Sequence, residues 1–346
     1  MSIVDRAGTE LTKTGHALTA MNFPLPTLPV GNYHVRLRAT VNGQNDTLVL
    51  PISVVTSTLR HSQTSIALLE AGEQPQLSSD GDTQVVFGNA NRLLAYSTFQ
   101  NVRWAPHHRL DEGLAATIAD RHLTDDFQAD TWPSAFDPNA YVTSTGVALY
   151  PFGSDDIEYA ALAAGDPAMS PVRGQLLGWF TQVVNNPDSN TDQVSYALLG
   201  LAKLGQPVLP DVHAWLAVPN LPDHERLTLA MALDAMGARE EVRPIVTYLL
   251  QRYGHTQAPY TWLTLGASHD DQLVATARYA IIAADVGDST GFGALRYSLS
   301  HPPKDTTTNL EAALAAERLL ATASNAVSIS YRLGGQTVTK QLKNTD

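Results

Sequence analysis

The 346-residue chain contains no cysteine. That single absence excludes disulfides, thiolate-ligated zinc, iron–sulfur clusters and cysteine nucleophiles. Charge is also scarce: 16% of residues are Asp, Glu, Lys or Arg, and 22 basic side chains face 34 acidic ones, a formal net charge of −12. Such a balance disfavours non-specific nucleic-acid binding, which rests on Lys and Arg against phosphate. No apolar run approaches the ~20 residues of a membrane span. The start, Met1-Ser2-Ile3-Val4-Asp5-Arg6, lacks the apolar core of a signal peptide. It reads as either a cytosolic protein or a piece cut from a longer chain. What is plentiful is apolar material: 44% of residues are hydrophobic, enough for an ordinary core in a chain of two or three units, or of one large unit with a smaller one attached.

Three textures follow one another along the chain. Residues 1–60 read as β structure. Gly31 to Val41 alternates apolar and polar residues, Asn42-Gly43 signals a turn, and Thr47 to Val55 reads as a second strand in which Pro51 points to an edge or a bulge. Residues 61–88 read as a linker, polar from Glu73 to Thr83 with Pro75 and Gly81 inside. From 89 to 323 the pattern is helical. Asp192 to Gly205, Glu225 to Gly237 and Asp271 to Gly287 each combine an acidic start, an alanine-rich body and a glycine stop. Between them, segments such as Glu241 to Tyr253 carry their bulk on one stripe. Small-residue helices alternating with bulkier ones predict α-hairpins stacked side by side, as a closed α/α toroid or an open solenoid, and the uneven spacing favours the ring. Residues 324–346 return to β, as a hairpin of Ala326 to Leu333 and Gln336 to Leu342 around Gly334-Gly335. The expected fold class is mainly α: an α/α toroid of stacked helical hairpins inserted into or flanked by a small antiparallel β domain. The two β pieces are expected to share one sheet, since the ends of an inserted domain lie close together.

Several stretches, taken in order, resemble the alpha-2-macroglobulin family. Leu28 to Asp46, leading into Leu50-Pro51-Ile52-Ser53-Val54, is similar to the β segment of the family's CUB domain that precedes its helical toroid, the thioester domain. Gly146-Val147-Ala148-Leu149-Tyr150-Pro151-Phe152 through Ala160 is similar to the stretch that opens an inner helix. Ser195 to Pro207 is similar to the helix that follows it in bacterial members, and Glu311 to Ala323 with the final hairpin is similar to the exit back to the CUB sheet. The family's thioester joins a cysteine to a glutamine at the start of a toroid helix. The matching segment is Ala105 to Gly113, where Pro106 aligns, Arg109 stands for the cysteine, Asp111 for the motif's glutamate and Glu112 for the glutamine. The resemblance therefore implies a thioester-lacking protease-trap module, not an enzyme and without cofactor or metal. Its implied partners are proteases and other domains of a longer chain, in the periplasm or the extracellular envelope of a bacterium.

Other groupings compete with that reading. His107 and His108 stand four residues before Asp111 and Glu112, a spacing that on a helix allows a metal patch or an acid–base pair, or simply a charged helix start. Asp155, Asp156 and Glu158 would be the carboxylates of a toroid enzyme resembling glycosidases or terpenoid cyclases; the plainer reading makes Ser154 a helix cap followed by acids suited to the macrodipole. Asp125-Asp126 with Asp130 has faulty spacing for a magnesium–diphosphate motif, and Trp132-Pro133 points to a loop. His269-Asp270-Asp271 is expected to cap a helix. Gly291-Phe292-Gly293 lacks the third glycine of a phosphate loop. Trp104, Trp132, Trp179, Trp215 and Trp262 are either core or a sugar cradle. Asn45-Asp46-Thr47 is a glycosylation sequon. A third functional reading is a structural or adhesive envelope module.

Overall fold

The computed structural model describes residues 2–4, 10–12, 27–41, 43–55, 85, 87–104, 108–129, 136–301, 309–321, 327–333 and 336–342. The chain divides into two compact units, Met1–Ala67 and Leu68–Asp346. The predicted linker at 61–88 lies almost wholly outside the described residues, as do Pro106, His107, Asp130 and Trp132.

The first unit is a four-stranded antiparallel sheet of β1 (Ser2–Val4), β2 (Glu10–Thr12), β3 (Gly31–Val41) and β4 (Gln44–Val54), in the order β2-β1-β3-β4. The long hairpin runs in register from Val41 opposite Gln44 to Gly31 opposite Val54. Gly43 turns it with φ 79°, a left-handed conformation that glycine adopts without penalty. Pro51, which has no N–H to give to a ladder, sits on the edge strand. Tyr33 and Val35 form a small core with Leu28, Ile52 and Val54. The short strands β1 and β2 fall within the stretch that reads as β, without a pattern of their own to mark them.

The second unit holds eleven described helices: α1 (Ala90–Arg103), α2 (Leu110–Asp125), α3 (Ile157–Ala163), α4 (Arg173–Asn185), α5 (Thr191–Lys203), α6 (Leu209–Leu216), α7 (Asp223–Ala235), α8 (Arg239–Tyr253), α9 (His269–Asp285), α10 (Thr290–Ser300) and α11 (Asn309–Ala321). A small hairpin, β5 (Gly254–Gln257) with β6 (Tyr260–Leu263), links α8 to α9, and β7 (Val327–Leu333) pairs with β8 (Gln336–Leu342) at the end. Among the described residues β7 and β8 form a two-stranded sheet of their own.

Burial sorts the helices into two kinds. On α5 every residue from Val194 to Ala202 is buried, and on α7 every residue from Leu227 to Asp234. On α8, by contrast, only Val242, Val246 and Leu249 are buried, a single stripe at helical spacing. Helices covered on all sides form an inner ring in which α2, α3, α5, α7, α9 and α11 each pack on the next, and α11 packs back on α2. The one-sided helices lie outside it: α1 over α2 and α11, α6 over α5 and α7, α8 over α7 and α9, α10 over α9 and α11, with α4 against α5. The architecture is the closed toroid rather than an open stack.

Cap chemistry sets the length of the inner helices. Asn190 and Ser268 start α5 and α9 with reciprocal capping boxes. Gly205, Gly237 and Gly287, with φ of 75°, 75° and 71°, end α5, α7 and α9. After each glycine the next N–H reaches five residues back, Gln206 to Leu201, Ala238 to Leu233 and Asp288 to Ala283, at 2.9, 2.9 and 2.8 Å. This is the Schellman arrangement, three times over.

Small residues let the layers meet. A Cβ at Gly200 of α5 would stand 2.3 Å from the Phe180 ring of α4, and one at Gly291 of α10 would stand 2.8 Å from the Ala284 backbone of α9. Gly291 and Gly293 are therefore packing residues inside α10, not part of a ligand loop. Gly178 of α4 has open space around it. Gly200→Ala should accordingly destabilise the ring by about 1–3 kcal/mol through overpacking. Gly178→Ala should stabilise it by up to about 1 kcal/mol through helix propensity. Chemical denaturation of the two variants checks the opposite signs.

Candidate functional site

The polar groups at the helix ends show the direction of the inner helices. Residues in the first turns of α2, α3 and α11 meet one another, and residues from the last turns of α5, α7 and α9 meet at the opposite end. The inner helices therefore run parallel, and one face of the ring collects their N-termini. Carboxylates suit that face, where unpaired N–H groups carry partial positive charge.

The centre of this face is Arg278 of α9, a buried guanidinium. Its Nη1 donates to Tyr196 Oη of α5 at 2.7 Å. Nε and Nη2 donate to Glu311 Oε1 of α11 at 3.3 and 3.2 Å, and Nη2 also contacts Glu158 of α3. One side chain thus binds three other inner helices. Burial opposes its charge, yet Tyr196, Glu158 and Glu311 hold its pKa well above the ordinary value. Glu311 is fully buried, and burial raises its pKa while Arg278 pulls it down; its second oxygen, Oε2, has no hydrogen-bond partner among the described residues. Burial likewise pushes up the Tyr196 and Tyr159 hydroxyls.

Arg109 stands at the N-cap of α2, beside this centre. Its guanidinium forks onto buried Asp111, Nε to Oδ1 at 2.8 Å and Nη2 to Oδ2 at 3.2 Å. It also lies over the Tyr159 ring at 5.3 Å and the Tyr150 ring at 5.9 Å. Burial works against the arginine, but Asp111 raises its pKa further; Asp111 itself is raised by burial and lowered in part by Arg109. Glu112 accepts from the Arg109 backbone N–H at 3.3 Å. The turn Tyr150 to Gly153, closed by Gly153 N–H to Tyr150 O at 2.9 Å, exposes Phe152 completely at φ 64°.

The three candidate carboxylates after Gly153 do not converge. Asp155 accepts from the hydroxyls of Thr143 and Thr145. Asp156, not Ser154, is the cap of α3: its Oδ1 accepts from Tyr159 N–H at 3.1 Å, because the bridge between Ala148 and Asp155 delays the helix start. Glu158 turns to Arg278. The plainer reading of a charged helix start fits Asp111 and Glu112, in the first turn of α2, while His108 precedes the helix, which begins at Leu110. His269 and Asp270 are the first residues of α9, and the cap there is Ser268 with Asp271. Asp125 ends α2, and Asp126 accepts from His122 Nδ1 at 2.6 Å. The described tryptophans sit on separate elements: Trp104 at the end of α1 and exposed, Trp179 of α4 against Phe180, Trp215 of α6 against the core, and Trp262 of β6 stacked on Tyr297 at 5.0 Å. Among the described residues no group of three or more His, Asp or Glu is placed to hold a metal ion.

Sequence reasoning missed Arg278, Glu311 and Tyr196. A usable signal existed: Arg278 is the one basic residue in the apolar stretch Leu273 to Val286, and Glu311 opens an alanine-rich helix. A long charged side chain on a helix buried all round needs an opposite charge.

The opposite face holds the C-terminal ends. Lys203 of α5 donates to Leu162 O at 2.5 Å, and burial lowers its pKa to about 8. Asp234 of α7 is raised to about 8, first by burial and then by the adjoining Asp285 carboxyl of α9. Arg239 forks onto Asp285 at 2.8 and 3.0 Å. Arg121 binds Asp166 at 2.9 Å, and His122 Nε2 meets Glu317 at 3.1 Å.

No protein-family model matches this chain, and no curated protein does. No helix among the described residues is long and apolar enough to cross a membrane.

Arg278→Met would leave Glu311 and Glu158 without their cation, and should cost about 3–5 kcal/mol of stability in denaturant unfolding. Adding Glu311→Gln should recover part of that loss. At the other face, Asp234 binds a proton in the fold up to about pH 8 but only to about pH 4 when unfolded. Folded protein then holds the extra proton, so stability falls as pH rises across that window. Asp234→Asn should therefore gain on the parent protein by a few degrees of Tm between about pH 5 and 8, measured by thermal melts.

Proposed function

We propose that the chain is the ring module of a thioester-lacking protein of the alpha-2-macroglobulin kind, which restrains proteases by enclosure or docking and not by a covalent bond. The observation that carries this reading is the state of Arg109. It stands at the N-cap of an inner helix of a closed toroid, the place the resemblance gives to the reactive cysteine, and its guanidinium is held by Asp111 near the Tyr159 and Tyr150 rings. A thioester needs a sulfur and a carboxamide. Here those positions hold a guanidinium and the Glu112 carboxylate, which bonds the helix start instead. The residues give the segment structure where the resembling motif would give it reactivity.

In this reading the β segments at either end belong to a CUB-like domain, the partners are proteases and further domains of a longer polypeptide, and the setting is a bacterial periplasm or extracellular envelope. The test mixes the full protein with a protease and follows a large protein substrate beside a small peptide substrate. Cleavage of the large substrate should fall while the small one is still cut, and the two proteins should separate completely on a denaturing gel. Equal cleavage of both substrates, or an adduct that survives denaturation, overturns the proposal.

A further inference from the structure

The ring closes where its last inner helix, α11, packs on its first, α2. His122, in the last turn of α2, stands at that seam with both ring nitrogens on carboxylates. Nδ1 meets Oδ2 of Asp126, just past the end of α2, at 2.6 Å. Nε2 meets Glu317 Oε1 of α11 at 3.1 Å. The imidazole also stacks on Phe99 of α1, with ring centres 5.0 Å apart and planes 8° from parallel. A carboxylate oxygen only accepts, and a neutral imidazole has one N–H to give. Two hydrogen bonds of this kind therefore require two ring protons, and His122 is the imidazolium. Burial works against that charge, yet Glu317 and Asp126 raise the pKa above its ordinary value. Burial works against the Glu317 charge as well, but His122, Arg121 and Arg318 hold its pKa below the usual range. The remaining charges facing the pair are mostly arginines. Arg121 of α2 meets Glu317 at 3.5 Å and Asp166 at 2.9 Å, and Arg92 of α1 donates to the Asp126 carbonyl. Lys203 of α5, whose pKa burial lowers to about 8, also attracts Glu317.

We propose that His122 is a proton-operated latch on the closing seam of the ring: as the imidazolium it ties α2 to α11, and as the neutral ring it releases α11 while keeping Asp126. The single N–H of the neutral ring stays with the shorter contact, which lies within one helical turn. The Nε2 lone pair then faces a Glu317 oxygen, and two acceptors repel. The tie that is lost is thus the one between helices. Arg121 and the apolar packing of α11 remain, so the seam loosens and does not part. Since α11 is the last helix before β7, the latch acts where the chain leaves the ring. The sign follows from the direction of the shift. A histidine whose folded pKa is raised stabilises the fold in full below its ordinary pKa of about 6.5, and that contribution is lost as pH rises through the raised value. Acid tightens the seam, and alkali loosens it. The proposal does not rest on the protease-trap reading and would stand if that reading failed.

The test follows backbone hydrogen exchange of α11 and α5 in the full chain between about pH 6 and pH 9, corrected for the intrinsic pH dependence of exchange, while NMR follows the His122 ring. Protection of α11 should fall about threefold to tenfold more than that of α5, the size of one charged hydrogen bond partly screened by solvent. The His122 ring should carry two protons at about pH 7 and lose one as α11 loosens. His122→Gln keeps a donor that does not titrate, and should abolish the step. Glu317→Gln should abolish it too, because the new amide can donate to the neutral ring. Asp234 titrates in the same window, so the comparison is repeated in Asp234→Asn, where the step should persist. His213→Gln removes a histidine paired with Glu241 on the outer helices, and should leave the step unchanged. Equal loss of protection in α11 and α5, a step of full size in His122→Gln, or a single ring proton on His122 at about pH 6 overturns the proposal.

Discussion

Six parallel helices closed around one axis must each bury every side, and that requirement governs the rest of the molecule. Contacts between layers have to be close, which is why α9 and α11 carry five alanines each and why Gly200 of the inner α5 and Gly291 of the outer α10 stand where a methyl group would meet a ring or a backbone. The outer helices then supply bulk on one stripe, as Val242, Val246 and Leu249 do. Parallel packing also brings six helix N-termini to one face. The carboxylates there answer the partial positive charge of those termini, and Arg278 answers the carboxylates in turn.

Arg278 makes a particular kind of contribution. A buried ion pair gains little over a well-packed apolar core, because desolvation of both partners offsets most of the attraction. What it does supply is discrimination between arrangements. Alanine-rich helices can slide past one another at small cost, whereas the Arg278 fork is satisfied only when α3, α5 and α11 all stand at the correct height. Arg109 repeats the device on a smaller scale, tying the segment around Tyr150 and Tyr159 to the first turn of α2.

Features decided by neighbours in the chain were legible in the sequence. Gly205, Gly237 and Gly287 stop their helices because a left-handed residue is required at the end, and that requirement is local. The alternation of helix types, and hence the toroid, followed from the same local patterns. Features decided across the ring were not legible. Asp156 replaces Ser154 as a cap because a bridge to Ala148 shifts the start of α3, and His108 lies outside α2 because the helix waits for Leu110. Glu158 read as an enzyme carboxylate or a first-turn acid, and its partner Arg278 stands 120 positions away in the chain. The candidate site was therefore found in part: Arg109, Asp111 and Glu112 by their segment, Arg278 and Glu311 not at all.

Closure has one more consequence. A linear stack of hairpins exposes an apolar flank at each terminus and needs special capping repeats to cover them. In this ring α11 lies against both α1 and α2, so the first and last hairpins cap each other and no repeat is terminal. Fraying, which peels an open array from its ends, has nowhere to begin. Loss of any single joint converts the whole assembly into an array with two raw flanks, so the joints stand or fall together.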